Sequence, residues 1–300
     1  MRNIIRWIGV GLLGFMALIL LVSAGLYFIT SQRINKVYSL PTEQITIPTD
    51  PVSISRGQLL VAARCAGCHG ANAAGTVIFE DAILGNISVA NLTAGRGTGG
   101  ANLEDADYIR AIRHGVDHSG HPILTMPSEA FYYINDQELG EMVAYLKSSS
   151  PIENPLPETH VKPVGIVLIG LGAFGDLIAA EKIDHLAARP AAVEPGETVA
   201  YGDYLVRTGQ CRTCHGPELT GGKDPDPNAP PAPDITRAGE LSTWSEADFI
   251  QALRSGRTPT GRQMNQFMPW VYIGKMTDVD LKAMWLYLQS LPPQTAEGAQ

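Results

Sequence analysis

Residues 65–69 and 211–215 repeat one pattern: Cys65-Ala66-Gly67-Cys68-His69 and Cys211-Arg212-Thr213-Cys214-His215. On a helical turn, positions i, i+3 and i+4 share a face. Five residues of chain therefore hold two thiols and an imidazole together. This is the C-x-x-C-H attachment signature of a c-type haem: the thiols bond the porphyrin's two vinyl groups and the imidazole is placed against the iron. Two copies in one chain constrain its folding heavily, because each surrounding module must build its core around a porphyrin.

All four cysteines lie in the two motifs, so no thiol remains for a disulfide, a third metal site or a lipid anchor. Two bridges would be the other reading of four cysteines in an exported chain. The histidine after each pair and the short spacing speak against it. Haem is attached covalently outside the bacterial cytoplasm, so the motifs predict export.

The N-terminus supplies a route. Arg2 and Arg6 precede an uncharged run from Ile8 to Ile29. A bilayer core needs roughly 20 apolar residues, and the apolar region of a cleaved signal peptide is shorter. Ser23-Ala24-Gly25 offers small residues for cleavage, but the apolar run continues through Ile29. The pattern favours a retained signal anchor, with a cytoplasmic N-terminus and everything after Ser31 facing the periplasm of a bacterial inner membrane; Arg33 and Lys36 reduce that charge bias. The remainder is acidic, net −8. That disfavours nucleic acid, which needs clustered lysine and arginine, and suits a partner with a basic docking patch.

Aligning the two motifs brings further residues into step. Asn91-Leu92-Thr93 answers Asp234-Ile235-Thr236, the segment 104–113 answers 245–254, and Met126-Pro127 answers Met268-Pro269. Asp136 through Leu146 answers Asp278 through Leu288. This is a duplication of one module. Its closing helix shows apolar residues at helical spacing, Leu139, Met142, Val143 and Leu146 in the first copy, Leu281, Met284, Trp285 and Leu288 in the second. Asn135 with Glu138, and Thr277 with Asp280, have the pattern of a capping box. Convincing alternating strands are missing, so an all-α fold is predicted.

The chain then divides into an anchor helix (1–31), a linker (32–52), a first haem module (53–151), a Pro-rich linker (152–196), a second haem module (197–293) and a tail (294–300). The Pro-rich linker contains Pro151 at its edge and Pro155, Pro157, Pro163, Pro190 and Pro195, and also an apolar stretch from Val164 to Phe174 that is too short to span a bilayer. Packing into the crevice between modules is its simpler reading, and an exposed patch for a partner or membrane is the other.

An electron-carrying haem needs a second axial ligand. Met126 is the only methionine between the first motif and the closing helix, and a residue before proline is biased toward extended backbone, as a loop crossing a haem face requires. His114, His118 and His121 are its rivals. In the second module the candidates are Met264, Met268 and Met276; Met268 shares the Met-Pro context. With His69 and His215 on the other side, His/Met ligation would give relatively high potentials.

With these residues in view, the chain resembles membrane-anchored dihaem c-type cytochromes of bacteria, built from two class I cytochrome c domains, and in particular the cytochrome subunits that accompany periplasmic dehydrogenases. The resemblance runs from about Gly57 to Pro293 and rests on C-x-x-C-H, Asn-Leu-Thr with a following Gly-rich turn, Ala-Ile-Arg-His-Gly, Met-Pro and Tyr-Leu-Lys. It implies two tandem haem domains after one transmembrane helix, two covalent haems c on Cys65, Cys68, Cys211 and Cys214, and axial ligands His69, Met126, His215 and Met268. Two departures stand out. Such cytochromes typically carry three haem motifs, and Ala90 stands where the second module has Pro233, so the backbone contact that fixes the first histidine is expected to differ.

The leading expectation is electron transfer from a dehydrogenase or respiratory-complex donor to an oxidase or soluble cytochrome, without catalysis by this chain. Membership of a respiratory oxidase complex would keep that role with a different partner. The rival class is a dihaem redox enzyme such as a cytochrome c peroxidase or a thiosulfate-oxidising cytochrome, which needs an iron able to open a coordination position; the three histidines 114, 118 and 121 are the feature that keeps it in view.

Overall fold

The computed structural model describes residues 2–96, 103–188, 191–223 and 228–292. Residues 97–102, which hold most of the Gly-rich turn after Thr93, together with Pro190, Pro293 and the 294–300 tail, lie outside the described residues. The apolar N-terminal run forms one helix, α1 (Arg2–Ile34), and its Asn3–Ile34 stretch is long and apolar enough to cross a membrane; its most apolar part is not buried against the rest of the chain, whereas Thr30 near its end is.

The first module begins with α2 (Pro51–Arg64), where Asp50 accepts the Ser53 amide and Pro51 sits at the first helical position, so the start is capped and pre-set. The short helix α3 (Ala66–His69) carries the first motif. After α4 (Asp105–His114) and α5 (Ser128–Phe131), the closing helix α6 (Asp136–Ser148) packs across α2. Gly57 makes that crossing close: a Cβ there would meet the Glu141 carbonyl oxygen at 1.9 Å.

The second module repeats the plan with α8 (Val199–Thr208), α9 (Cys211–His215), α10 (Glu246–Ser255), α11 (Trp270–Ile273) and the closing helix α12 (Asp278–Ser290). Gly202 is the counterpart of Gly57, its missing Cβ 2.0 Å from the Ala283 carbonyl oxygen. The closing helices bury their predicted apolar stripes, with Leu139, Met142, Val143 and Leu281 wholly inaccessible; Trp285 alone of the predicted positions is only half-buried, at the edge of the second core.

The all-α expectation is corrected in part. β1 (Thr76–Asp81) and β2 (Gly85–Val89) form an antiparallel hairpin, to which β3 (His160–Val161) adds an edge. β4 (Thr220–Gly222) and β5 (Ala232–Asp234) pair in the second module. These strands escape a search for alternation because they are short or irregular; the β1–β2 register slips between Val77 and Phe79. The fold remains largely helical.

The linkers are also structured. Tyr38 donates its amide to the Gly120 carbonyl, and Ile45 and Ile47 pack on the first core. The apolar stretch forms α7 (Pro163–Gly170), which packs against α1 and the β1–β2 turn rather than filling a crevice between the modules.

Candidate haem-attachment sites

Both histidines of the motifs are fixed by the same contact. His69 Nδ1 lies 2.9 Å from the Ala90 carbonyl oxygen and His215 Nδ1 lies 2.8 Å from that of Pro233. A carbonyl can only accept, so each Nδ1 carries the proton and each Nε2 keeps its lone pair. Burial also holds both imidazoles below their usual pKa, favouring the neutral ring that a metal ligand requires. The expected difference at Ala90 is not found. The acceptor is backbone, and the loop reaches the same place with alanine as with proline.

That loop is shaped by the residues following it. Asn91 Oδ1 accepts the Thr93 amide at 2.9 Å, and Asp234 Oδ1 accepts the Thr236 amide at 2.7 Å. The side chain imitates a backbone turn, which explains why Asn and Asp interchange between the copies.

The thiols fit a covalent haem better than a thiolate metal site. Burial pushes Cys65 up to about 12 and Cys211 up to about 11, so both stay uncharged. A metal-binding thiolate needs the opposite shift, whereas a thioether carries no charge to desolvate. Cys65 and Met126 border one apolar cluster, with Leu60, Tyr108, Phe131 and Met142. Cys211 and Met268 border the other, with Leu205, Phe249 and Met284. Sequence positions about 60 residues apart are thereby brought to one core in each module.

The two Met-Pro loops share a local geometry. The Met126 carbonyl accepts the Ser128 amide at 2.9 Å, and the Met268 carbonyl accepts the Trp270 amide at 2.8 Å. Pro127 and Pro269 then open α5 and α11. Met264 occupies a different place. Its amide donates to the Gly256 carbonyl at 2.7 Å, as that of Ile123 does to Gly115, so Met264 corresponds to Ile123. Met276 packs at the edge of the second core immediately before the Thr277 cap.

The three histidines do not converge. His114 is buried, with Nε2 2.7 Å from Glu43 Oε1 and Nδ1 2.9 Å from His185 Nδ1. His118 is exposed, and His121 Nδ1 lies 3.1 Å from the Ser119 hydroxyl. Glu43 also pairs with the buried Arg113, which reaches Asp136 at the start of α6. Arg254 makes the matching contact to Asp278 at 2.8 Å, so the arginine belongs to the repeated design and Glu43 is the first module's addition.

Sequence reasoning missed a polar network joining the modules. Arg64 Nη1 lies 2.8 Å from Glu138 Oε2, with side chains only 3% and 5% exposed. Tyr204 donates to the same oxygen at 2.6 Å and Arg64 Nη2 donates to Thr208 at 3.2 Å. Arg56 bridges Glu138 at 3.5 Å and Asp280 at 3.4 Å, while Tyr201 donates to Asp280 at 2.9 Å. Glu138 and Asp280 occupy the same place in their closing helices. Thr277 and Asp280 form the predicted capping box, but the Glu138 side chain is drawn to Arg64, and the Asn135 amide donates instead to Tyr204 at 3.3 Å. Sequence offered no signal for this network: a carboxylate at the third helical position reads as half of a capping box, and its burial against Arg64 appears only when the helices pack.

Comparison with known proteins follows this geometry. A sequence model of the family described as cytochrome c matches residues 54–150 and 199–292. The chain is similar to the fructose dehydrogenase cytochrome subunit of Gluconobacter japonicus, 27% identical over 290 residues, covering 88% of this chain and 58% of that one. It is similar to the cytochrome c subunit of alcohol dehydrogenase (quinone) from Gluconacetobacter polyoxogenes, 26% identical over 256 residues, covering 76% and 53%. A third relative is the gluconate 2-dehydrogenase cytochrome c subunit of Pantoea cypripedii, 27% identical over 276 residues, covering 81% and 60%. The matched stretch thus spans little more than half the length of these relatives.

Proposed function

The chain belongs to the cytochrome c family, and from that footing we propose that it is a membrane-tethered dihaem electron carrier serving a dehydrogenase on the periplasmic side of a bacterial inner membrane. Haem c, when bound, supplies reversible one-electron chemistry at iron; the protein's task is to position, tune and shield it. Cys65, Cys68, Cys211 and Cys214 would hold the two groups. His69 and Met126 would hold the iron of the first group, and His215 and Met268 that of the second, leaving each iron to exchange electrons rather than bind a substrate. The donor would be the catalytic subunit of a dehydrogenase or a respiratory complex, and the acceptor an oxidase or soluble cytochrome. α1 would be the anchor.

The observation that carries this reading is the repeated histidine contact. Two C-x-x-C-H turns present a neutral imidazole, each oriented by one backbone carbonyl. Relatives named as dehydrogenase cytochrome subunits support the choice of donor. The dihaem-enzyme alternative drew on three histidines, and the most buried of them has both ring nitrogens engaged by Glu43 and His185. A pyridine haemochrome assay on acid-acetone-washed protein tests the proposal: two covalent haems per chain are expected, falling to one in the Cys65→Ala/Cys68→Ala variant. One haem in the unaltered protein would sink it.

A further inference from the structure

One surface of the first module is apolar yet uncovered. α7 carries no charged side chain along Pro163–Gly170. Its packed side is close. At Gly165 a Cβ would lie 2.5 Å from the Leu84 carbonyl oxygen, and at Gly170 one would lie 2.3 Å from Thr30 Oγ1 and 3.6 Å from Leu26. The opposite side is open, with Val164 49% and Leu171 62% exposed. The β1–β2 turn beside it adds Ile83, 64% exposed. The Phe79 and Phe174 rings, 6.3 Å apart, tie the hairpin to the chain beyond α7. A helix apolar on all sides is normally buried on all sides.

Its place along α1 indicates what covers it. Leu26 lies three residues before the end of the Ile8–Ile29 apolar run, about 4–5 Å along the helix axis. α7 therefore meets α1 at the last turn of that run, the level at which acyl chains give way to headgroups.

We propose that α7 and the β1–β2 turn rest in the acyl–headgroup boundary of the bilayer that α1 crosses, forming a second membrane contact that sets how the haem modules stand above it. This rests on α1 being a retained anchor. One helix alone leaves a domain free to swivel; two contacts do not. Lys162, whose ammonium donates to the Ala82 carbonyl at 2.8 Å, puts a cation at the headgroup level. The exposed carboxylates of Glu80 and Asp81 limit the depth, since charge is costly deeper in the bilayer. The arrangement is that of an interfacial helix continuous with a spanning one.

The haem-loaded full chain, reconstituted in phosphatidylcholine vesicles containing a lipid with a diazirine high on its acyl chain, tests this by irradiation and mass-spectrometric mapping of adducts. Adducts are expected on 163–172 and 78–84 as well as on α1, while the exposed Val271 and Val279 of the second module remain bare. The double variant Val164→Glu/Leu171→Glu alters exposed positions only and should keep its haem spectrum and its α1 adducts. Its adducts on 163–172 and 78–84 should fall about tenfold. Adducts confined to α1 in the unaltered protein would overturn the proposal and assign the patch to a protein partner. A bare α1 would overturn the anchor itself.

Discussion

Ala90 accepts the Nδ1 proton of His69 through its carbonyl at 2.9 Å, although the matching residue in the second module is a proline. The side chain at this position is therefore immaterial to the histidine; the path of the loop is what counts. Asn91 sets that path by turning its side chain onto the Thr93 amide and hydroxyl and onto the Ile152 carbonyl. A histidine held from behind in this way is fixed in tautomer and ring orientation, which is how an outer contact tunes a metal ligand.

Met126→His and Met268→His should each remove one haem's share of the long-wavelength iron–sulfur charge-transfer band and lower that haem's potential in a spectroelectrochemical titration. Met264→His should leave both haems unchanged, because Met264 corresponds structurally to Ile123. A response at Met264 with none at Met268 would reverse the second assignment.

Glu138→Gln should destabilise the chain by about 3 kcal/mol, since it leaves Arg64 buried without its carboxylate. Guanidinium unfolding followed by circular dichroism measures this. A loss well under about 1 kcal/mol would mean that Arg64 finds another partner.

Acid should weaken the junction between the modules. Desolvation opposes ionisation of Asp280, but the Arg56 charge and hydrogen bonds from Thr277 and Tyr201 outweigh it, so the carboxyl sits below its ordinary value. A depressed carboxylate contributes stability above its unfolded pKa, about 4, and loses that contribution as pH falls through its folded value. Asp280→Asn should therefore be less stable than the unaltered protein at pH 7 and show a shallower decline below about pH 4. Equal acid slopes in the two proteins would refute the assignment.

Gly202→Ala should cost about 2 kcal/mol, because the added methyl would overlap the Ala283 carbonyl where α8 crosses α12. Gly57→Ala should behave alike on α2 and α6. Thermal unfolding reads both, and a neutral result would mean that the helices separate freely.

What the sequence determined by itself was local. The C-x-x-C-H turns, the closing helices with their apolar stripes, the Thr277 cap and the apolar run of α1 all depend on residues within a few positions of one another, and helical periodicity displays them directly. The repeat extended this to pairs such as Met126 and Met268, because each copy reports on the other. Tertiary structure alone decided the rest. Nothing near Arg64 in sequence announces Glu138 and Tyr204, nor does His114 announce Glu43 and His185; each is a single polar residue whose partner is tens of residues away. The strands were hidden because β3 is two residues long and exists only as an edge to β2. α7 reads as a buried segment by composition, and only its seat against Leu26 and Thr30 places it beside the spanning helix. Burial and ion pairing depend on which surfaces meet, and that is settled by the packing of whole modules, not by neighbours along the chain.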